Sequence, residues 1–468
     1  VASKRNLFER VLHIRNEAFR SLEGGSPQFT IDAVTDITDP NNPAARRVEG
    51  TLTVPNFLSL PGGPTGSTFN YVGTPDGNLP ARFPGEGTLT AGFTCHIPKP
   101  SFGVDAPDLP ALYGHGLLGS SRSEGSSGHV RTMGNLGNLV FCATDWIGMS
   151  EGDLATVATI IADLSNFPKL ADRSQQGFVN FMFLGRAMIH PEGFCSHDAF
   201  RSGSDCLIDA TKQQVYYDGN SQGAIMGGSL VAVAHDVRRG VLGVPGMNYS
   251  TLLNRSVDWE GAYAIPFYLA YPDKIDQQIA FALMQMLWDR AESNGYAHHM
   301  STDPYDDPSA EDDSFHDGKT VESAKGAKQI LLHVAFADHQ VANLAAEVEA
   351  RTIGARIIET SLDATEHWED APFFALEPIP AAELDPLGAG AAGSAIVYWH
   401  NGNNPPPNEN VPPDEVCKDP HESPRRDPEA IEQKRRFYHD RKIFDTCGSV
   451  QCETSHNRNC VDGQPIGG

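Results

Sequence analysis

Val215-Tyr216-Tyr217-Asp218-Gly219-Asn220-Ser221-Gln222-Gly223-Ala224 carries an apolar run through a G-x-S-x-G turn and on into the small-residue stretch Ile225 to Ala234. The run reads as a buried strand. The stretch reads as a buried helix whose small residues permit close packing on a sheet. So sharp a strand-to-helix turn forces its central residue into strained backbone geometry, and glycine on either side removes side chains that would collide there. The serine hydroxyl is then exposed at the tip, which makes Ser221 the candidate nucleophile. The bare pattern also arises by chance in a chain rich in glycine and serine. A structural glycine turn accounts for the glycines but not for strand, serine and helix together.

Upstream, Leu109-Pro110-Ala111-Leu112-Tyr113 reads as a strand entering Gly114-His115-Gly116-Leu117-Leu118-Gly119-Ser120. A His-Gly turn directly after a strand and ahead of such an elbow is where an oxyanion-hole loop lies. Glycine lets the backbone approach a substrate, and the amide of Leu117 can face a developing oxyanion. Its partner is the amide of Gln222, freed at the start of the helix after the serine. His115 is expected to order this loop rather than to transfer protons; a flexible glycine loop is the alternative. Residues 138–145 read as a further buried strand, residues 167–190 as a long crossover helix, and residues 240–245 as the next strand. Alternating strands and helices imply a mostly parallel sheet.

Downstream, the strand Gln329 to Asp338 delivers a carboxylate at its C-terminal end, ahead of a helix from about Asn343. Such an acid can orient a catalytic histidine. It can also cap the helix. Residues 394–399 form the last strand, with His400 at its end and His421 in Asp419-Pro420-His421-Glu422-Ser423-Pro424, before a helix over 427–438.

At 468 residues the chain can bury a sizeable core, and its 60 acidic against 35 basic residues give a formal charge of −25. That charge repels nucleic acid and anionic membranes. No run approaches the ~18 apolar residues of a membrane span. The eight cysteines are Cys95, Cys142, Cys195, Cys206, Cys417, Cys447, Cys452 and Cys460, without a C-x-x-C pair. They favour disulfides over zinc and an oxidising, extracytoplasmic home. A first residue of Val1 suits a mature form after signal-peptide removal. Cys195 and Cys206 bracket a polar loop and are expected to pair, as are Cys95 and Cys142, each in a strand near the sheet. Cys417 and the three tail cysteines are left to pair among themselves.

Around this centre, residues 1–104 read as an extension with an amphipathic helix over 4–22 and a β-rich remainder, residues 105–445 as the catalytic domain, and residues 446–468 as a Cys-rich tail. An insertion over 248–319, with an apolar helix around residues 279–288, reads as a lid over the serine. The acidic run 303–313 lacks EF-hand spacing and reads as a solvated loop rather than a calcium site. His298 and His299 have no third ligand in register, so no metal is expected.

With the His-Gly loop, the G-x-S-x-G elbow, a late strand-end Asp and a later His in this order, the chain resembles the α/β-hydrolase superfamily, in particular secreted bacterial serine esterases and lipases, over about residues 105–445. The resemblance implies acyl transfer on a small or polymeric ester. Ser221 attacks the carbonyl, a histidine takes and returns its proton, Asp338 fixes the imidazole, and no cofactor is required. It also favours His421 over its rival His400, because the Pro-bounded loop around His421 resembles the segment that carries the histidine in that fold. Cys417 can pin that loop. A peptidase or amidase of the same fold, or a catalytically idle binding protein, are the other readings.

Overall fold

Side chains along a strand point alternately to opposite faces, so a sheet covered on both sides needs two apolar sets in one run. The computed structural model describes residues 7–72, 79–85, 87–103, 107–211, 213–301, 327–413, 416–448 and 450–466. The strands of its main sheet are β1 (Phe29–Asp36), β2 (Ala44–Pro55), β3 (Thr88–Pro98), β4 (Leu109–Gly114), β5 (Leu139–Thr144), β6 (Val215–Asn220), β7 (Val237–Gly243), β8 (Gln329–Ala335), β9 (Arg356–Ile357) and β10 (Ala395–Trp399). All belong to one sheet, in the order β1-β2-β3-β5-β4-β6-β7-β8-β10-β9. From β5 to β9 every neighbouring pair is parallel. The strands β1, β2 and β3 form an antiparallel edge joined to β5.

The two apolar sets are visible residue by residue. Leu112, Val215, Tyr217 and Leu332 face one layer, whereas Ala111, Tyr113, Tyr216 and Leu331 face the other. The longer helices are α1 (Leu7–Arg20), α2 (Gly128–Gly137), α3 (Leu154–Ala162), α4 (Pro168–Ile189), α5 (Gln222–Val233), α6 (Ala264–Ala270), α7 (Lys274–Trp288), α8 (Asn343–Ile353) and α9 (Pro428–His439). On the first face lie α1, α4, α5 and α8. The opposite face is covered by α2 and α9. Every residue of α4 from Leu170 to Ile189 is buried, as befits a crossover helix held between the sheet and a further layer.

This is the α/β-hydrolase architecture: a mostly parallel sheet with an antiparallel edge, β4 and β5 exchanged in spatial order, and a serine at the end of the central strand β6. The stretch 1–104 does more than extend it, because β1 to β3 are strands of the same sheet. Their pairing was hidden because strands distant in sequence leave no local mark of which neighbour they join. Between residues 249 and 288 the insertion is helical, and its acidic run 303–313 lies outside the described residues.

There are four disulfides among the described residues: Cys95–Cys142, Cys195–Cys206, Cys417–Cys460 and Cys447–Cys452. The first two are the expected pairs, and the other four cysteines do pair among themselves. Cys95 and Cys142 stand directly opposite in the β3–β5 ladder. The tail is fastened to β10 as well, since the His400 amide donates to Cys452 O at 2.7 Å and the Thr454 amide to His400 O at 2.7 Å.

Beneath α5 lie two buried carboxyls, Glu292 and Glu349. Burial, the largest influence on each, pushes Glu292 up to about 7 and Glu349 up to about 8 from an ordinary 4.5. Over that window the folded chain holds protons that the unfolded chain releases, so stability falls as pH rises from 4.5 through about 8. Urea unfolding at about pH 5 and about pH 8 is expected to give the higher midpoint at the lower pH, with Glu349→Gln flattening the difference. A variant whose pH slope matches the wild type would contradict this.

Candidate active site

Ser221 sits between the last residue of β6 and the first of α5 with φ 60° and ψ −126°, a conformation sparsely populated by residues that carry a side chain. The turn is tight enough to dictate its neighbours. A β-carbon on Gly223 would overlap the carbonyl oxygen of Gly114, and one on Gly219 would overlap Gly223 O and the Tyr217 hydroxyl. The Ser221 amide donates to Gly243 O at 2.9 Å, tying the elbow to β7. At 8% exposure Ser221 is not the open tip that its turn alone suggested. It lines a cavity whose walls come from the His115 loop, residues 149–170, the start of α5 and the insertion.

The expected oxyanion loop lies on the same cavity. Leu117 and Leu118 line it together with Ser221 and Gln222. Among the described residues, neither the Leu117 nor the Gln222 amide donates to a protein acceptor. His115 orders the loop. Its Nε2 accepts from the Trp146 amide at 2.9 Å, so its Nδ1 carries the hydrogen and donates to Gly116 O at 2.9 Å. Burial lowers the His115 pKa and favours the neutral ring this arrangement needs. Glu124 completes the clamp by accepting from the Gly116 amide and, at 2.8 Å, from the Tyr113 hydroxyl.

Asp338 and His421 meet. His421 Nδ1 lies 2.8 Å from Asp338 Oδ2 and 2.9 Å from Oδ1, and both residues are buried. The strand ends sooner than its apolar run indicated, because β8 stops at Ala335 and a turn through Ala337, at φ 60°, carries Asp338 forward. Asp338 Oδ1 also accepts from the amides of Gln340 and Val341, at 2.8 and 3.0 Å. Helix α8 begins only at Asn343, so Asp338 is not its cap. Burial pulls the His421 pKa down, but the charge of Asp338 and its hydrogen bond together outweigh that and leave it raised above 6.5.

The rival His400 has other partners. It stacks on Phe336 at 5.0 Å between ring centroids, and its Nε2 lies 3.4 Å from Glu366. Among the described residues no hydrogen bond joins Ser221 to His421; catalytic hydrogen bonds are often long in unliganded enzymes. The two ends of the site nevertheless share a wall. Gln340 and Val341, which follow Asp338, line the cavity with Ser221, and Asp258 on that wall lies close enough to His421 and Asp338 to feel their charges.

One clamp was missed in the sequence. Asp419 accepts from the His421 amide at 3.0 Å and from Gln340 Nε2 at 2.8 Å, binding the histidine loop to the Asp338 turn. An Asp two residues ahead of an amide it caps is a readable Asx turn, and that was the available signal. The Cys417–Cys460 bridge fastens the start of the same loop to the tail.

The cavity holds about 760 Å³ of unfilled space, counting its open mouth, and is mostly apolar, with Ile160, Phe167, Met284 and Trp288 on its walls. Two described clusters contain metal-ligand residue types. In one, Cys447 and Cys452 are consumed by their disulfide. In the other, Glu347 accepts from His367, Tyr398 and Arg351.

No protein-family model matches the sequence, and no curated protein matches it. Solved structures with similar folds include an acetyl xylan esterase from Paenibacillus sp. R4, at 12% identity and TM-score 0.37, covering 72% of this chain and 81% of that one. Acetyl xylan esterase 1 from Thermoanaerobacterium sp. JW/SL YS485 aligns at 12% identity and TM-score 0.39, covering 74% and 84%. An acylaminoacyl peptidase from Pyrococcus horikoshii aligns at 10% identity and TM-score 0.31, covering 66% and 41%. Superpositions this loose decide nothing about the reaction. The assignment to the α/β-hydrolase fold rests on the sheet order and the elbow.

The raised pKa of His421 fixes a sign. A histidine that serves as general base must be neutral, so if His421 has that role, activity falls off on the acid side with an apparent pKa above 6.5. Asp338→Asn removes the group that raises it. The acid limb of kcat/KM should then move below the wild-type value while turnover drops by ~10⁴. An unmoved limb would detach Asp338 from the histidine.

Proposed function

We propose that the protein is a serine hydrolase that cleaves carboxylic esters through an acyl-enzyme. The observation that carries this reading is the strained backbone of Ser221, which holds a side chain at φ 60° on the wall of an apolar cavity. A residue other than glycine in that conformation, pinned between β6 and α5, is supported by a function that needs its hydroxyl there.

In this reading Ser221 Oγ attacks the ester carbonyl carbon and His421 Nε2 takes its proton. Asp338, bound to Nδ1, fixes the tautomer and stabilises the imidazolium. The amides of Leu117 and Gln222 stabilise the oxyanion. Collapse of the tetrahedral intermediate expels the alcohol with the proton from His421. Water, deprotonated by the same ring, then releases the acid. The apolar walls suit the uncharged part of an ester, and the helical insertion acts as a cover that keeps water from the acyl-enzyme. Four disulfides support folding in an oxidising, extracytoplasmic compartment.

Turnover of p-nitrophenyl butanoate beside the corresponding acyl-anilide tests the class. The ester is expected to be cleaved much faster, and Ser221→Ala to lose on the order of 10⁶ in turnover with an unchanged unfolding midpoint. Faster cleavage of the anilide would assign the protein to the peptidases and amidases. A variant that keeps a tenth of the wild-type rate would remove Ser221 from the mechanism.

A further inference from the structure

Gln222, beside Ser221 on the cavity wall, has a polar side chain that acyl transfer leaves unused, its carboxamide. The residue is 1% exposed, and among the described residues its Nε2 has no hydrogen-bond partner. Its Oε1, by contrast, accepts from the Tyr249 hydroxyl. Tyr249 is itself held, its ring stacked on Trp288 at 4.3 Å and 14° and its amide donating to Glu292 at 3.2 Å. With Oε1 anchored, the amide plane is fixed and the two N–H donors on Nε2 are turned away from Tyr249.

A buried donor without an acceptor costs about 1–3 kcal/mol. Ile225, Leu252, Met284 and Trp288 make much of the surrounding wall apolar, and its polar residues, Asp258 among them, do not accept from Nε2. A substrate atom that accepts from Nε2 recovers that energy. Resting on the acyl-transfer reading above, we propose that Gln222 selects esters carrying a second, neutral oxygen acceptor on the part that enters this cavity. An ether, keto or further ester oxygen has the required chemistry. Gln222 follows Ser221 directly and both line the cavity, so one substrate can meet both residues. The second oxygen is neutral because Asp258 shares the wall and opposes a second anion. A site built to donate a hydrogen bond rejects an analogue that lacks the acceptor more strongly than an apolar pocket rejects a change of shape.

The test compares p-nitrophenyl 3-methoxypropanoate with p-nitrophenyl pentanoate, which have acyl chains of equal length, each rate corrected for the ester's reactivity toward hydroxide. The wild-type kcat/KM is expected to favour the ether by about tenfold, the worth of one hydrogen bond. Gln222→Met, which keeps the length and removes the donor, should bring the corrected ratio close to one. Tyr249→Phe deletes only the anchoring hydroxyl and should lower the ratio too, which keeps the test open if the first variant misfolds. Hydrolysis of both esters at equal corrected rates, or a ratio untouched by both substitutions, overturns this inference alone. If the wild type cleaves neither ester, the acyl-transfer reading falls and this inference falls with it.

Discussion

The geometry of the candidate active site depends on how closely the start of α5 approaches the end of β4. Gly223 lies against the carbonyl of Gly114 with no room for a β-carbon. That approach holds the helix N-terminus and the His115 loop side by side, and it leaves the residue between β6 and α5 no conformation but a strained one. Strain of this kind costs on the order of 1–3 kcal/mol and persists only where the surroundings over-determine it. Here the surroundings are a parallel sheet buried on both faces, with the elbow amide bonded to β7. The same closeness sets the amides of Leu117 and Gln222 on one cavity wall with the serine.

The second half of the site is held by hydrogen bonds rather than by packing density. Asp338 leaves β8 through a left-handed turn at Ala337, whose amide is fixed by Asn343 Oδ1 at 2.8 Å. Asp419 then ties the histidine loop to that turn, and the Cys417–Cys460 bridge fastens the loop's beginning to the tail. Beneath the elbow, Lys434 of α9 reaches the buried carboxylate of Asp218 at 2.9 Å. Breaking such a pair leaves a charge uncompensated in the interior, which binds the helix after the histidine loop to the strand that carries the serine.

Local grammar made much of this legible in the sequence. The elbow, the strand-end acid and the order serine, acid, histidine depend on short-range spacing, and Cys195 and Cys206 declared their loop by proximity. Pairings over long distances were less accessible. Nothing within residues 29–98 shows that these strands continue the central sheet, because pairing depends on a neighbour brought up by the fold. For the same reason the turn alone made Ser221 an open tip although it is 8% exposed, and Glu124 and Tyr249 carried no mark of the groups they hold. Even Gln222 was legible only through its backbone. Its side chain acquires meaning once Tyr249 takes one end of the amide and leaves the other unpaired.

The central claim is that Ser221 is a nucleophile activated by His421. Labelling with a fluorophosphonate, followed by peptide mass spectrometry, tests it most directly, because the reagent reacts with an activated serine and not with an ordinary one. The account predicts one adduct, on the peptide that carries Ser221, abolished in His421→Ala and retained in His400→Ala. An adduct on another residue would contradict it, as would labelling that survives loss of His421 and disappears with His400.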